Sequence, residues 1–214
     1  MAALMGVGRI IETEAHVAEG AAWLAARDPR FAALLEATGP LPLRRRPDGF
    51  AALFDAILGQ QVSTASAGAI RLRLEAAGLF DEGPVALASE EALRACGLSR
   101  PKARYAQALA RAGLDYAALR EAPDEEVIAT LVALPGIGRW TAEIYALISL
   151  GRADVFAPGD LALQEAARAL FDLPARPSER ALRAMAEDWR PWRAVAARAL
   201  WAYYRLKRRR EGIR

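Results

Sequence analysis

Two short segments hold the residue types that could do chemistry. Residues 134–142 read Leu-Pro-Gly-Ile-Gly-Arg-Trp-Thr-Ala, and residues 156–160 read Phe-Ala-Pro-Gly-Asp. In the first, two glycines one residue apart separate the apolar stretch Val127–Leu134 from the amphipathic stretch Arg139–Leu150. That spacing predicts a tight helix-to-helix turn whose backbone can approach a phosphate closely. N–H groups at the start of the second helix would hold it. In the second segment, Asp160 stands 22 residues beyond Gly138, after a Pro-Gly turn. A phosphate-holding turn and a single carboxylate positioned by the same helices suit chemistry on DNA.

Each feature also has a plainer reading. Pro-Gly and Gly-x-Gly are common punctuation of ordinary two-helix turns. Asp160 directly precedes the helical stretch Leu161–Phe171 and is a good N-cap. The two roles are compatible, because a helix N-terminus favours the ionised carboxylate that would stabilise a developing cation. Asp115, Asp124, Glu143 and Glu165 read most simply as surface charges. His16 is the only histidine, which gives a Ser-His-Asp triad or a histidine metal site little support. Cys96 is the only cysteine, so an internal disulfide, a zinc site and a four-cysteine cluster are all excluded.

The elements that must position these residues are helices. Alanine and leucine dominate, and hardly any stretch alternates β-branched or aromatic residues at period two. Helices are predicted at about 14–26, 30–37, 49–59, 62–77, 89–95, 101–112, 124–133, 139–150, 161–171, 178–188 and 191–208. Gly39-Pro40, Gly78, Gly83-Pro84, Gly97, Gly113, Pro123, Pro135-Gly136, Pro158-Gly159 and Pro174 fall between them as breakers. Residues 93–103 loosely echo 131–139 as helix, glycine turn, helix; a plain helix connection or a second phosphate-facing turn would explain the echo.

With 214 residues and 54% hydrophobic content the chain can bury a sizeable core. Its net charge is only +3, so the distribution of charge matters more than the sum. Arg44–Arg46 and the run Arg205, Lys207, Arg208, Arg209, Arg210 and Arg214, opposed by Glu211, are solvated surface or phosphate contacts. The apolar run Met1–Gly8 precedes Arg9, and no stretch reaches the roughly 18 apolar residues of a membrane span. An intracellular, cytoplasmic protein without a membrane partner, nucleoid-associated through DNA, is expected.

Four motifs in order, Ile57–Ser63, Leu134–Ala142, Val155–Asp160 and Trp189–Arg193 with Trp201, resemble the helix-hairpin-helix DNA glycosylases of the 3-methyladenine DNA glycosylase II type. The resemblance runs from about Arg30 to about Tyr204 and implies a compact form without the N-terminal mixed α/β domain of the archetype. It implies that Gly136, Ile137 and Gly138 hold a phosphate, with Thr141 capping or contacting it, and that nearby carbonyls can bind a monovalent cation. It makes Asp160 the essential carboxylate. It makes Trp140 and Trp201, with Ile144, walls of a base pocket, although core packing is the alternative for both tryptophans, since Trp140, Ile144 and Leu147 share a helix face. Trp23, Trp189 and Trp192 have no better claim than core packing. Gln60 and Gln61 fall at a helix junction; the resemblance assigns the second as a plug for the gap left by a flipped nucleotide, and polar termination of a helix is the alternative.

Two departures from the family pattern bear on chemistry. Ile144 replaces an aromatic residue, which alters the pocket. Trp140 stands where glycosylases that also cut the backbone place a Schiff-base lysine, and tryptophan cannot form an imine. The expectation is therefore an all-α fold of two helical lobes, about 1–46 plus 151–214 and about 47–150, the latter containing the hairpin 127–150, with an active-site cleft between them. The expected function is monofunctional excision of alkylated purines of the 3-methyladenine or 7-methylguanine type from double-stranded DNA, by a monomer without a catalytic cofactor or iron–sulfur cluster. A non-catalytic helix-hairpin-helix DNA-binding protein is the competing reading.

Overall fold

The computed structural model describes residues 7–210, the side chain of Arg210 excepted. Among these residues the regular structure is helical, with one isolated antiparallel bridge, Ile10 to Arg152. The chain divides into two compact units, one built mainly from Arg46–Tyr145 and the other from Gly8–Arg45 with the chain from Ala146 onward.

The first unit holds α3 (Phe50–Gly59), α4 (Thr64–Ala76), α5 (Glu82–Leu87), α6 (Glu90–Ala95), α7 (Arg100–Arg111), α8 (Tyr116–Glu121), α9 (Asp124–Val132) and most of α10 (Arg139–Ile148). Helix starts are written by side chains: Ser63, Ser89, Ser99 and Asp115 each accept a backbone N–H from the first turn that follows. Leu53, Phe54, Ile57, Leu74, Leu93, Leu109, Val127 and Leu131 form its core. Two helices differ from the sequence expectation. The segment around Gly83-Pro84 is helical because Pro84 lies in the first turn of α5, where its missing N–H would have no intrahelical partner anyway. The six-residue α8, capped by Asp115, buries only Leu119 and is too short to show a period.

The second unit holds α1 (Glu14–Arg27), α2 (Pro29–Thr38), α11 (Leu161–Leu170), α12 (Glu179–Met185), a 3-10 turn (Ala186–Trp189) and α13 (Arg193–Arg210). The predicted helix at 178–188 is thus two pieces. Ala194 to Leu200 are almost completely buried, so α13 is the unit's central element. Phe31, Phe156, Phe171 and Trp189 stack around one another beside it. Trp189 and Trp192 are core residues, whereas Trp23 is half-buried under the guanidinium of Arg27. Of the basic C-terminal run, Arg205 and Arg209 are exposed on α13; Glu211 and Arg214 lie outside the described residues, as does most of the apolar run from Met1.

Candidate active site

The hairpin in the first unit is built from the ends of α9 and α10. Past α9, the Leu134 N–H donates to the Leu131 carbonyl and the Ile137 N–H to the Leu134 carbonyl, both at 3.1 Å, which folds the chain back on itself. Gly136 adopts φ +86° and packs on the Tyr105 ring so closely that an added Cβ would lie 2.4 Å from the ring carbon. A side chain is excluded there twice over, by backbone conformation and by space. Gly138 is the opposite case, with no atom within 4 Å of an added Cβ. The Ala142 N–H makes the bond to the Gly138 carbonyl at 3.0 Å that opens α10, so the amides of Gly138 and Arg139 precede the first intrahelical bond.

Three sequence expectations change here. The Ile137 amide is already spent on Leu134, and its side chain is buried, so Ile137 pegs the turn into the core rather than offering an N–H to a phosphate. Thr141 is also buried, on the inward side of α10, and so does not present itself for a phosphate contact. Glu143, read as a surface charge, is 1% exposed and accepts a 3.0 Å bond from Arg139, which also pairs with Glu125. Asp124 and Glu165 are half-buried, Glu165 pairing with Arg168 and Arg176, while Asp115 is exposed.

Gln60 and Gln61 separate in role. The Gln60 amide donates to the Gly136 carbonyl at 2.8 Å, tying the end of α3 to the hairpin. Gln61 is exposed with φ +56°, a left-handed conformation that costs a non-glycine residue about 1 kcal/mol or more. The buried Lys102 ammonium donates to the Leu58 carbonyl at 2.7 Å, anchoring the C-terminal end of α3 just before these glutamines. Sequence reasoning missed these roles of Lys102 and Tyr105, since each depends on a partner distant in the chain. The echo at residues 93–103 is a plain helix connection, because Arg73 packs on Gly97 and donates to the Cys96 carbonyl.

Trp140 is 46% exposed at the start of α10, which rules out the core reading for that residue; Ile144, one turn on, is half-buried.

In the second unit Asp160 is the N-cap that the sequence predicts for α11. Val155, Phe156, Ala157 and Pro158 are buried, and Phe156 meets Trp189 edge-on at 5.3 Å. The Gln164 amide donates to the Pro158 carbonyl at 2.8 Å, fixing the turn that brings Asp160 to the surface. Asp160 Oδ1 then accepts the Leu163 N–H at 3.1 Å, capping α11, and the Trp201 indole Nε1–H at 3.2 Å. Trp201, for which the sequence offered a pocket wall or core packing, is half-buried and donates to that carboxylate.

The basic run Arg44–Arg46 is split. Arg44, with φ +54°, lays its guanidinium 5.1 Å from the centroid of the Trp201 ring. Arg45 donates to the Ser149 carbonyl. Arg46 is exposed in the first unit. Arg198, completely buried on α13, donates to the Leu43 carbonyl at 3.0 Å and the Ala194 carbonyl at 2.8 Å. Burial, with Arg45 alongside, pushes its guanidinium down to about 10.

A family model described as HhH-GPD superfamily base excision DNA repair protein matches residues 54–191. The chain is 34% identical to DNA-3-methyladenine glycosylase 2 of Escherichia coli, over 72% of this chain and 57% of that protein. Among solved structures it is similar to a DNA-3-methyladenine glycosidase from Bacillus halodurans, with 32% identity, a TM-score of 0.79 and coverage of 92% and 93% of the two chains. It is also similar to the Schizosaccharomyces pombe 3-methyladenine DNA glycosylase Mag1 in complex with abasic DNA, with 29% identity, a TM-score of 0.74 and coverage of 86% and 95%.

Proposed function

The chain belongs to the HhH-GPD superfamily of base excision DNA repair proteins and is a DNA glycosylase similar to the 3-methyladenine enzymes; from that premise we propose that it is monofunctional, excising flipped alkylated purines from duplex DNA as a monomer. The observation that carries the proposal is the pair of donors on Asp160 Oδ1, from Leu163 and Trp201. A carboxylate held this way at a helix N-terminus needs little reorganisation to face positive charge growing on a deoxyribose as its N-glycosidic bond breaks. The electron pair of that bond leaves with the base. Water adds to C1′ and gives up a proton, leaving an abasic site.

An N3- or N7-alkylated purine is already cationic, so it can leave without a general acid. It also favours indole faces, by about 0.5–2 kcal/mol per contact. In this reading Trp201, beside Asp160 in the second unit, stacks against the base, and the first unit contributes the exposed indole of Trp140, with Ile144 one turn on, to DNA contact. The amides of Gly136, Gly138 and Arg139 hold a phosphate, and Gln61 fills the vacated stack.

No catalytic cofactor enters this scheme. A monovalent cation at the hairpin would draw on carbonyls such as those of Leu134 and Gly136. Each accepts one hydrogen bond from the chain and keeps a second lone pair, so the donors fit, and the ion would supply positive charge toward a phosphate.

Lyase chemistry lacks a nucleophile in this reading. The lysines are Lys102 and Lys207; the amine of Lys102 is buried on Leu58, and Lys207 lies near the far end of α13. Duplexes carrying 7-methylguanine or 3-methyladenine, incubated with the protein and then treated with alkali, test the proposal. Strand breaks should appear only after alkali, and borohydride should trap no adduct. A borohydride-trapped complex, or no alkali-labile sites with any alkylated duplex, would overturn it.

A further inference from the structure

Arg44 is a cation built into the immediate surroundings of Asp160, and the chain goes to some length to hold it there. Its backbone sits in the left-handed region, at φ +54°, which a non-glycine residue adopts only under constraint. The constraint comes from both neighbours: the Leu43 carbonyl is gripped by the fully buried Arg198, and the Arg45 side chain is tied to the Ser149 carbonyl. Between these anchors the Arg44 guanidinium lies over the Trp201 ring at 5.1 Å, and the same ring donates to Asp160. Within this unit one indole therefore links a fixed positive charge and the carboxylate.

We infer that Arg44 is a specificity-determining residue that extends excision to neutral damaged purines. The inference rests on the reading in which the base stacks on Trp201. When a neutral purine leaves, the electron pair of the broken bond makes the departing base increasingly anionic, and water must later supply its proton. A guanidinium does not give up its own proton at working pH, but it stabilises the growing negative charge by field and by hydrogen bonding. A cationic alkylpurine still carries part of its positive charge in the transition state, so relative to free enzyme and DNA the same guanidinium repels it.

The test compares second-order excision rates (kcat/KM) for hypoxanthine, which is neutral, and 7-methylguanine, which is cationic, in otherwise identical duplexes. Arg44→Gly removes the charge and relieves the left-handed backbone, so it should fold; Arg44→Lys keeps the charge. Arg44→Gly should lower the rate for hypoxanthine about tenfold, as expected for a partial charge several ångströms from a cation, and leave the rate for 7-methylguanine unchanged or raised. Arg44→Lys should keep most of the hypoxanthine rate. Equal losses on both lesions would mean a phosphate contact or a purely structural role and would overturn the inference, as would an unchanged ratio or a parent protein inactive on hypoxanthine. Failure of the parent on 7-methylguanine and 3-methyladenine alike would instead overturn the underlying reading.

Discussion

The two hairpin glycines look equivalent in sequence and differ in structure. Gly136 combines φ +86° with the Tyr105 ring where a Cβ would go, whereas Gly138 has open space. Gly136→Ala should therefore destabilise the protein by about 2–4 kcal/mol, from backbone conformation plus overpacking. Gly138→Ala should leave the melting temperature within a few degrees while weakening binding to damaged and undamaged duplex alike, since phosphate contacts position without reading sequence. Thermal melts and fluorescence titrations of both variants check this. Unchanged affinity for Gly138→Ala at several salt concentrations would make the turn structural only. At Trp201 the indole N–H can be removed with an aromatic ring retained. Trp201→Phe should lower single-turnover excision by about tenfold or more, given that a hydrogen bond to a charged group is worth about 1.5–3 kcal/mol, with a smaller change in DNA affinity. A loss confined to affinity would limit Trp201 to stacking.

Among the elements, those whose ends carry their own signals were legible in sequence. Ser99 and Pro101 opening α7, and Asp160 opening α11, mark helix starts without tertiary context. The short helices α5 and α8 were not legible, because a proline in the first turn reads as a breaker and six residues show no period. Glu143 was misread for a related reason: sequence spacing places it on α10 but does not say that its side of the helix is covered. The same limit hid the pairings of Gln60 with Gly136 and of Lys102 with Leu58, made across 76 and 44 residues. Gln60 links α3 to the hairpin, so Gln60→Ala should weaken binding to every duplex by about two- to tenfold, whereas Gln61→Ala should slow excision from a fully paired duplex more than from one with an abasic site opposite the lesion. Equal behaviour of the two variants on these substrates would contradict the division of roles.

At the scale of the whole molecule, the helical fold was legible from composition and period, and the candidate site from its motifs. The arginine geometry around Trp201 was not, because Arg44–Arg46 read as one basic run and only folding separates them. Stability should carry a mark of two buried phenols in the first unit. Burial pushes Tyr145 up to about 12 and also raises Tyr116. Groups raised in the folded state contribute fully below their unfolded value near 10, and that contribution is lost as pH climbs through the folded value. Urea unfolding should thus show stability falling between pH 10 and 12, by about 1.4 kcal/mol per pH unit for each tyrosine. Tyr145→Phe should flatten the fall while lowering stability at neutral pH, because the Gly49 N–H would lose its 2.9 Å acceptor. A slope the same as the parent's would exclude Tyr145 as a source.

The central claim is that Asp160 serves the chemical step and not merely the capping of α11. Single-turnover excision of 7-methylguanine by Asp160→Asn at saturating enzyme, with DNA affinity and melting temperature measured on the same preparation, tests it most directly. Asparagine is itself a good N-cap, so the fold and binding should persist while excision falls by about 100-fold or more. An excision rate near that of the parent, in a variant that binds and melts like the parent, would contradict the account.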